Sequence, residues 1–235
     1  MKLRAATVLC LALAACQGQD PAAVAAAQAQ AREQQAEEAA RGFDAAVSAG
    51  EWELARAYGD VLLADFPGTK VAERVAPQHA EIVARADASR NDRRLASLWS
   101  YQSLPVDGGV QRSASINARE QVDVDGSGAG PVQLIFRDHP DWGRSSYLVL
   151  RSGDFDCHGG CRVQVLVDGE PRGMAASRPD TDEAIAMFIE DEAGLWSLAA
   201  SAETLAIEFP VVAGGTRTAE FEVGGLQTGR MPGWD

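Results

Sequence analysis

Two residue patterns meet near Trp99, and they require different backbone structures on either side. From Pro21 to about Val47 the chain consists mainly of Ala, Gln, Glu and Arg, with no glycine before Gly42. These residues favour helices. After Trp99 glycine and proline become frequent, and segments such as 162–167 alternate valine with other residues, as half-buried strands do. The sequence therefore predicts an α+β chain, helical first and β-rich second.

The first fifteen residues have the features of an export signal. Lys2 and Arg4 give a basic start, and the apolar stretch 5–15 is shorter than the ~20 residues that span a bilayer. The stretch ends in Leu-Ala-Ala before Cys16, which resembles the lipobox recognised by lipoprotein signal peptidase. We expect cleavage before Cys16 and lipidation of its thiol, and Gln17, rather than Asp, favours the outer membrane. An ordinary secretory peptide with a chance cysteine is the alternative.

The charge of the chain limits its partners. The net charge is -13, and removal of Lys2 and Arg4 with residues 1–15 would bring it to -15. So acidic a surface repels phosphate backbones, which argues against a nucleic-acid partner. It argues equally against electrostatic docking on anionic lipid. We therefore expect membrane attachment through the lipid anchor of Cys16.

The helical part is expected to contain a spacer, residues 16–42, and a hairpin neck, residues 43–98. The spacer is predicted to be helical or flexible, with disorder of residues 17–30 as the alternative. Thr69 is a candidate N-cap for a third helix that runs to about residue 98, and Pro77 should kink that helix or lie in its first turn.

Residues 50–67 resemble the second helix of a tetratricopeptide repeat. Gly50 would close the preceding helix, Ala55 is small where two helices approach, and Pro67 follows the helix end. Helical spacing places Leu54, Tyr58, Val61 and Leu62 on one face, which we expect to be buried. A lone helical hairpin is the alternative, because the resemblance covers only one repeat.

Residues 99–235 are expected to form an antiparallel β-sandwich or small barrel with one short helix. Asp168-Gly169 predicts a tight hairpin turn, and 191–201 predicts the helix, with Leu195, Trp196 and Leu198 facing inward. The predicted strands are Ser113 to Asn117, Val132 to Arg137, Ser146 to Arg151, Arg162 to Val167, Ile185 to Glu190, Leu205 to Phe209 and Thr218 to Val223.

The order of apolar segments in this half is similar to that of TagO-like type VI secretion accessory proteins. The matching segments are the Trp99-Ser-Tyr start, 134–137, 146–149, the strand at Val163 with its Asp-Gly turn, and 221–226. The family has a cysteine directly after the arginine that matches Arg137, where this chain has Asp138. The resemblance implies an accessory role in an envelope assembly, and no functional residue is transferred from it.

Cys157 and Cys161 enclose His158 and two glycines. Because export places this segment in an oxidising compartment, the spacing predicts a disulfide across a turn. A redox-active pair is less favoured, since the usual spacing is two residues before a helix. A zinc site that includes His158 would lack a fourth ligand.

Three acidic segments are candidate sites with simpler structural interpretations. Asp138, His139 and Asp141 offer metal or catalytic groups, but a polar turn after a strand is favoured. The 123–128 segment resembles a calcium loop without its bidentate Glu, so a hairpin turn is favoured. Residues 180–183, which include Asp182 and Glu183, are interpreted as a solvated rim.

No metalloprotease, nucleophile-elbow, phosphate-loop or dinucleotide motif occurs, so we expect no enzyme, no catalytic residue and no cofactor or metal site. The sequence predicts a non-catalytic outer-membrane lipoprotein that binds or braces another cell-envelope protein. A membrane-anchored β-domain that binds a small ligand or calcium is the second hypothesis, and a hydrolase is the third.

Overall fold

A computed structural model describes residues 20–181 and 185–234. The predicted leader and the lipidation site Cys16 lie outside the described residues. The chain divides into two compact units, Met1–Asp87 and Ala88–Asp235. Helices precede a large antiparallel sheet, which confirms the predicted α+β class. Within the described ranges, no helix combines the length and the apolar character needed to span a membrane.

The first unit contains α1 (Pro21–Ala49), α2 (Trp52–Asp65) and most of α3 (Lys70–Ser97). Residues 21–30 form the first part of α1. Gly50 ends α1 in the left-handed conformation, φ 71°, as predicted. Thr69 Oγ1 accepts a hydrogen bond from Ala72 N at 3.2 Å and so caps α3. Pro77 lies inside α3, beyond its first turn.

The predicted buried face of α2 is wrong for three of its four residues. Leu62 is buried, whereas Leu54, Tyr58 and Val61 are among the exposed large hydrophobics. The buried face of α2 is formed instead by the small residues Ala55 and Gly59, together with Leu62. A Cβ on Gly59 would lie 2.8 Å from His79 Cδ2, so close helix packing selects small residues here.

The second unit is built around one nine-stranded antiparallel sheet, in the spatial order β1-β2-β5-β6-β9-β8-β7-β10-β11. A separate pair, β3 and β4, lies outside it. The strands are β1 (Trp99–Val106), β2 (Gly109–Asn117), β3 (Val122–Asp123), β4 (Ala129–Gly130), β5 (Val132–His139), β6 (Gly143–Leu150), β7 (Cys161–Val167), β8 (Glu170–Ser177), β9 (Ala186–Ile189), β10 (Thr204–Pro210) and β11 (Thr216–Glu222).

The predicted sandwich or small barrel is not confirmed. Nine of the strands form one open sheet whose edges, β1 and β11, do not pair with each other in the described part of the chain. The ends of the two edges nevertheless meet, because Trp99 Nε1 donates to the carbonyl of Val223 at 3.3 Å. Main-chain N–H of Arg119, just beyond β2, donates to the carbonyl of Glu220 on β11 at 2.7 Å.

Aromatic rings fill the core beneath the sheet. Phe136 on β5 packs edge-on against Trp196 at 5.0 Å and against Trp234 at 5.6 Å, measured between ring centres. Trp196 belongs to α4 (Glu192–Ser201), the predicted short helix, which Asp191 caps through Gly194 N. Leu195 is buried as predicted and Leu198 is partly buried. A short 3-10 helix, Thr228–Arg230, follows the last strand.

Candidate protein-binding surface

The two edges of the nine-stranded sheet are protected to different degrees. On β11 the charged residues Arg217, Glu220 and Glu222 interrupt the strand, and Arg217 Nε donates to the carbonyl of Asp123 on β3 at 2.7 Å. Together with the Arg119 contact, these groups occupy part of the β11 edge. Charges and covering segments are the usual ways in which proteins block edge-to-edge pairing. The β11 edge is therefore guarded.

The β1 edge is less protected. Near its start, Gln227 N donates to Tyr101 Oη at 2.7 Å, and the Arg230 guanidinium carbon lies 4.2 Å from the Tyr101 ring centre. The eight residues of β1 carry no charge, and among the described residues the strand pairs only with β2. Residues 102–105 are exposed one after another, so both sides of the strand reach solvent there. A long, uncharged edge strand of this kind is a template for pairing with another extended chain.

The register of the β1–β2 hairpin identifies which backbone groups of β1 are available. Val106 pairs with Gly109 across a two-residue turn, and the pairs behind them follow without interruption to Trp99 and Ile116. Hydrogen-bonded and non-hydrogen-bonded pairs alternate along antiparallel strands. With Val106–Gly109 as the hydrogen-bonded pair, the backbone groups of Tyr101, Ser103 and Pro105 face away from β2. Pro105 fits this assignment, because proline occurs on edge strands where its nitrogen faces solvent.

Large apolar side chains are exposed around the same hairpin. Leu104 is 48% exposed and Val110 is 40% exposed, and Trp142 in the β5–β6 turn is 69% exposed. The turn and the hairpin tip are adjacent: a Cβ on Gly108 would lie 3.1 Å from Asp141 Oδ1. Leu104 and Val110 lie on opposite faces of the hairpin, because Leu104 pairs with Gln111 and Val110 pairs with Pro105. Exposed tryptophan and aliphatic side chains are common in protein-binding sites.

The candidate residues Asp138, His139 and Asp141 lie in and next to the β5–β6 turn, for which the sequence analysis favoured a polar turn. His139 is buried, its Nδ1 accepts a hydrogen bond from Asp141 N at 3.1 Å, and its ring stacks on Trp142 with centres 4.0 Å apart. The imidazole is thus occupied in shaping the turn. The described residues contain no group of three or more His, Cys, Asp or Glu side chains that could hold a metal ion.

Cys157 and Cys161 are joined by a disulfide, with the sulfur atoms 2.03 Å apart. This agrees with the predicted bridge, which lies at the start of β7. His158, inside the loop, is solvent-accessible and its Nδ1 lies 2.8 Å from Asp180 Oδ1. An exposed ring paired with a carboxylate does not provide the ligand set of a zinc site.

An ion pair between the buried Arg178 and the partly exposed Asp154 lies next to this loop. The sequence analysis did not predict it. Arg178, which follows β8, is 7% exposed, and its Nε donates to Asp154 Oδ1 at 2.8 Å. Its Nη2 donates to Asp154 Oδ2 at 3.4 Å, and its Nη1 donates to the carbonyls of Thr181 and Pro179. The arginine therefore ties the segment before the disulfide to the segment after β8.

The charge of Arg178 governs the titration of Asp154. Burial acts to raise the pKa of this carboxyl, but hydrogen bonds from Arg178 and Phe155 N and the positive charge of Arg178 outweigh burial. The pKa of Asp154 is lowered as a result. The ion pair therefore forms with the ionised carboxylate of Asp154 and joins the segment before the disulfide to the segment after β8.

The calcium-like segment forms turns whose carboxylates are already in use. Asp123 Oδ1 accepts from Gly126 N at 2.7 Å, and Asp125 Oδ1 accepts from Ser127 N at 2.9 Å. Hydrogen bonds from Ser127 lower the pKa of Asp125. This is the favoured turn interpretation. Of the predicted acidic rim, Asp180 is exposed, and Asp182 and Glu183 lie outside the described residues.

Comparison of the chain with protein-family profiles, with curated proteins and with solved structures gives no match.

Proposed function

We propose that this chain is a non-catalytic, lipid-anchored lipoprotein of the outer membrane whose β-rich unit binds an extended segment of another envelope protein. The segment adds as a further strand along β1. The uncharged, exposed edge strand β1 is the observation that carries this proposal. By contrast, β11 at the other edge of the same sheet carries charged residues and contacts the segment at Asp123.

The chemistry of β1 specifies what the partner segment must offer. Backbone groups of Tyr101, Ser103 and Pro105 supply hydrogen bonds that any extended chain can satisfy. Leu104 offers an exposed apolar side chain on one face of the hairpin, and Val110 offers one on the other face. We therefore expect an uncharged segment with at least one apolar side chain opposite Leu104.

Charge favours a different protein over a second copy of this chain. The full chain carries a net charge of -13, and -15 after the proposed cleavage, so two copies paired edge to edge would repel each other. A partner of lower negative charge avoids that cost. The lipobox at Cys16 supports the envelope location, and the helical unit, with its tetratricopeptide-like α1–α2 hairpin, would serve as a spacer from the membrane.

Site-specific photo-crosslinking in intact cells tests the proposal. A benzophenone side chain at position 104 should crosslink one envelope protein, and the crosslinked peptides should map to one short segment of it. Val212, which is 61% exposed in the β10–β11 turn, provides the matched control position and should not give that product. A product formed only with a second copy of this chain, or equal yields at both positions, would contradict strand addition at β1.

A further inference from the structure

Arg137 lies between two aromatic rings on the outer face of the sheet. Along β5, Leu134 and Phe136 face the core, and Arg137 alternates to the opposite side. Its guanidinium carbon is 5.3 Å from the ring centre of Trp142 and 5.3 Å from that of Tyr147. Phe188 on β9 extends this aromatic group, with its ring centre 4.9 Å from that of Tyr147.

No carboxylate neutralises Arg137 among the residues that the structure describes. Its Nε is buried without a hydrogen-bond partner, as is Ser145 Oγ on the paired position of β6. The two terminal nitrogens are not buried in this way, so they reach the surface. The nearby Asp141 carboxylate lies instead beside Gly108 of the β1–β2 turn. In a chain with 34 acidic and 21 basic residues, a half-buried arginine without an acidic partner is unexpected.

The surroundings of Arg137 strengthen its attraction for an anion. The rings of Trp142 and Tyr147 shield part of the guanidinium from water, and partial removal of water increases the interaction between opposite charges. The terminal edge of a guanidinium matches the two oxygens of a carboxylate. A singly charged carboxylate is also repelled less by this acidic chain than a doubly charged phosphate would be.

We infer that Arg137 and Trp142 form a binding site for a carboxylate attached to a ring. The carboxylate binds the terminal guanidinium nitrogens, and the ring packs against the part of Trp142 that His139 and Arg137 leave exposed, since this side chain is 69% exposed. The ring belongs to an acidic sugar or an aromatic acid, both of which present a flat apolar side. This site goes beyond the proposed function, because it requires neither the β1 edge nor a protein partner.

Titration of the purified protein with sodium benzoate and with sodium glucuronate tests the inference. Binding is followed by NMR through the indole N–H of Trp142. We expect saturable shifts with at least one of the two acids, with a dissociation constant of about 1–10 mM for ligands of this size. The response to one acid or the other distinguishes an aromatic from a sugar ligand. Benzamide and glucose, which lack the charge, should not saturate the signal.

Two variants separate the site from general effects on the fold. Arg137→Gln should weaken binding at least about tenfold while the urea midpoint stays close to that of the wild type. Arg151→Gln, at an exposed arginine just beyond β6, should leave the dissociation constant unchanged. The inference is overturned by the absence of saturation up to about 50 mM, by equal affinity in Arg137→Gln, or by acetate binding as tightly as both ring acids.

Discussion

Replacement of Arg178 by methionine tests whether the buried ion pair holds the disulfide loop against β8. Methionine keeps most of the apolar stem of the side chain and removes the charge together with four hydrogen bonds, two to Asp154 and two to backbone carbonyls. Loss of one partner of a fully buried pair costs about 3–5 kcal/mol. The Asp154 carboxyl is 33% exposed, so water can partly replace the arginine. We therefore expect a loss of about 2–3 kcal/mol in the free energy of unfolding.

Urea unfolding followed by tryptophan fluorescence measures this loss, because four of the five tryptophans belong to the second unit. Arg172→Met, at an exposed arginine on β8, is the matched control and should change the free energy by less than about 0.5 kcal/mol. A double-mutant cycle with Asp154→Asn should give a coupling of about 1–2 kcal/mol at neutral pH.

The coupling free energy between Arg178 and Asp154 should decrease as the pH is lowered. The pKa of Asp154 is lowered in the folded protein, so the pair contributes fully above the unfolded-state pKa, about 3.9. The contribution is lost as the pH falls through the lower folded-state pKa. A coupling near zero at pH 7, or one that grows on acidification, would refute the assignment of Arg178 and Asp154 as a stabilising pair.

Three further outcomes follow from other parts of the chain. Cys16→Ser should move the protein from the detergent phase to the aqueous phase, and unchanged partitioning would contradict the lipobox interpretation. Replacement of Cys157 and Cys161 by alanine should lower the free energy of unfolding by about 1–3 kcal/mol and leave crosslinking at position 104 intact, and loss of that crosslink would contradict a purely structural bridge. Gly225→Ala should destabilise the second unit by about 2–4 kcal/mol, because its Cβ would lie 2.2 Å from the backbone carbon of Leu95. Gly229→Ala has open space and is the control; equal effects of the two changes would contradict the packing.

Alternation identified the seven predicted strands, each of which overlaps a strand of the sheet. The β1 and β8 strands were missed because neither alternates. The exposed residues 102–105 of β1 have no core side, and in β8 Pro171 and Gly173 interrupt the pattern. The strand that carries the proposed function is thus the one with the weakest sequence signal, since an edge that leaves both faces in water needs no apolar alternation.

Among the candidate site residues, pairs that are close in sequence could be predicted and pairs that are distant in sequence could not. The Cys157–Cys161 pairing could be predicted because its partners are separated by only four positions and the sequence predicts export to an oxidising compartment. Arg178 and Asp154 lie 24 positions apart, and no local spacing connects them. On α2, spacing alone favoured Leu54 and Tyr58 as core residues. In the structure Ala55 and Gly59 face inward instead, because only small residues fit where α2 packs closely on its neighbouring helices. The sequence of α2 alone does not reveal these contacts.

A proline at position 103 tests strand addition to β1 most directly. Ser103→Pro removes an outward-facing N–H and leaves the β1–β2 hydrogen bonds in place, so the fold should be retained within about 1 kcal/mol. Ser103→Ala keeps the N–H and is the control. We expect the partner crosslink at position 104 to be lost in Ser103→Pro and retained in Ser103→Ala. If a folded Ser103→Pro protein crosslinks its partner as efficiently as the wild type, the partner does not pair with β1.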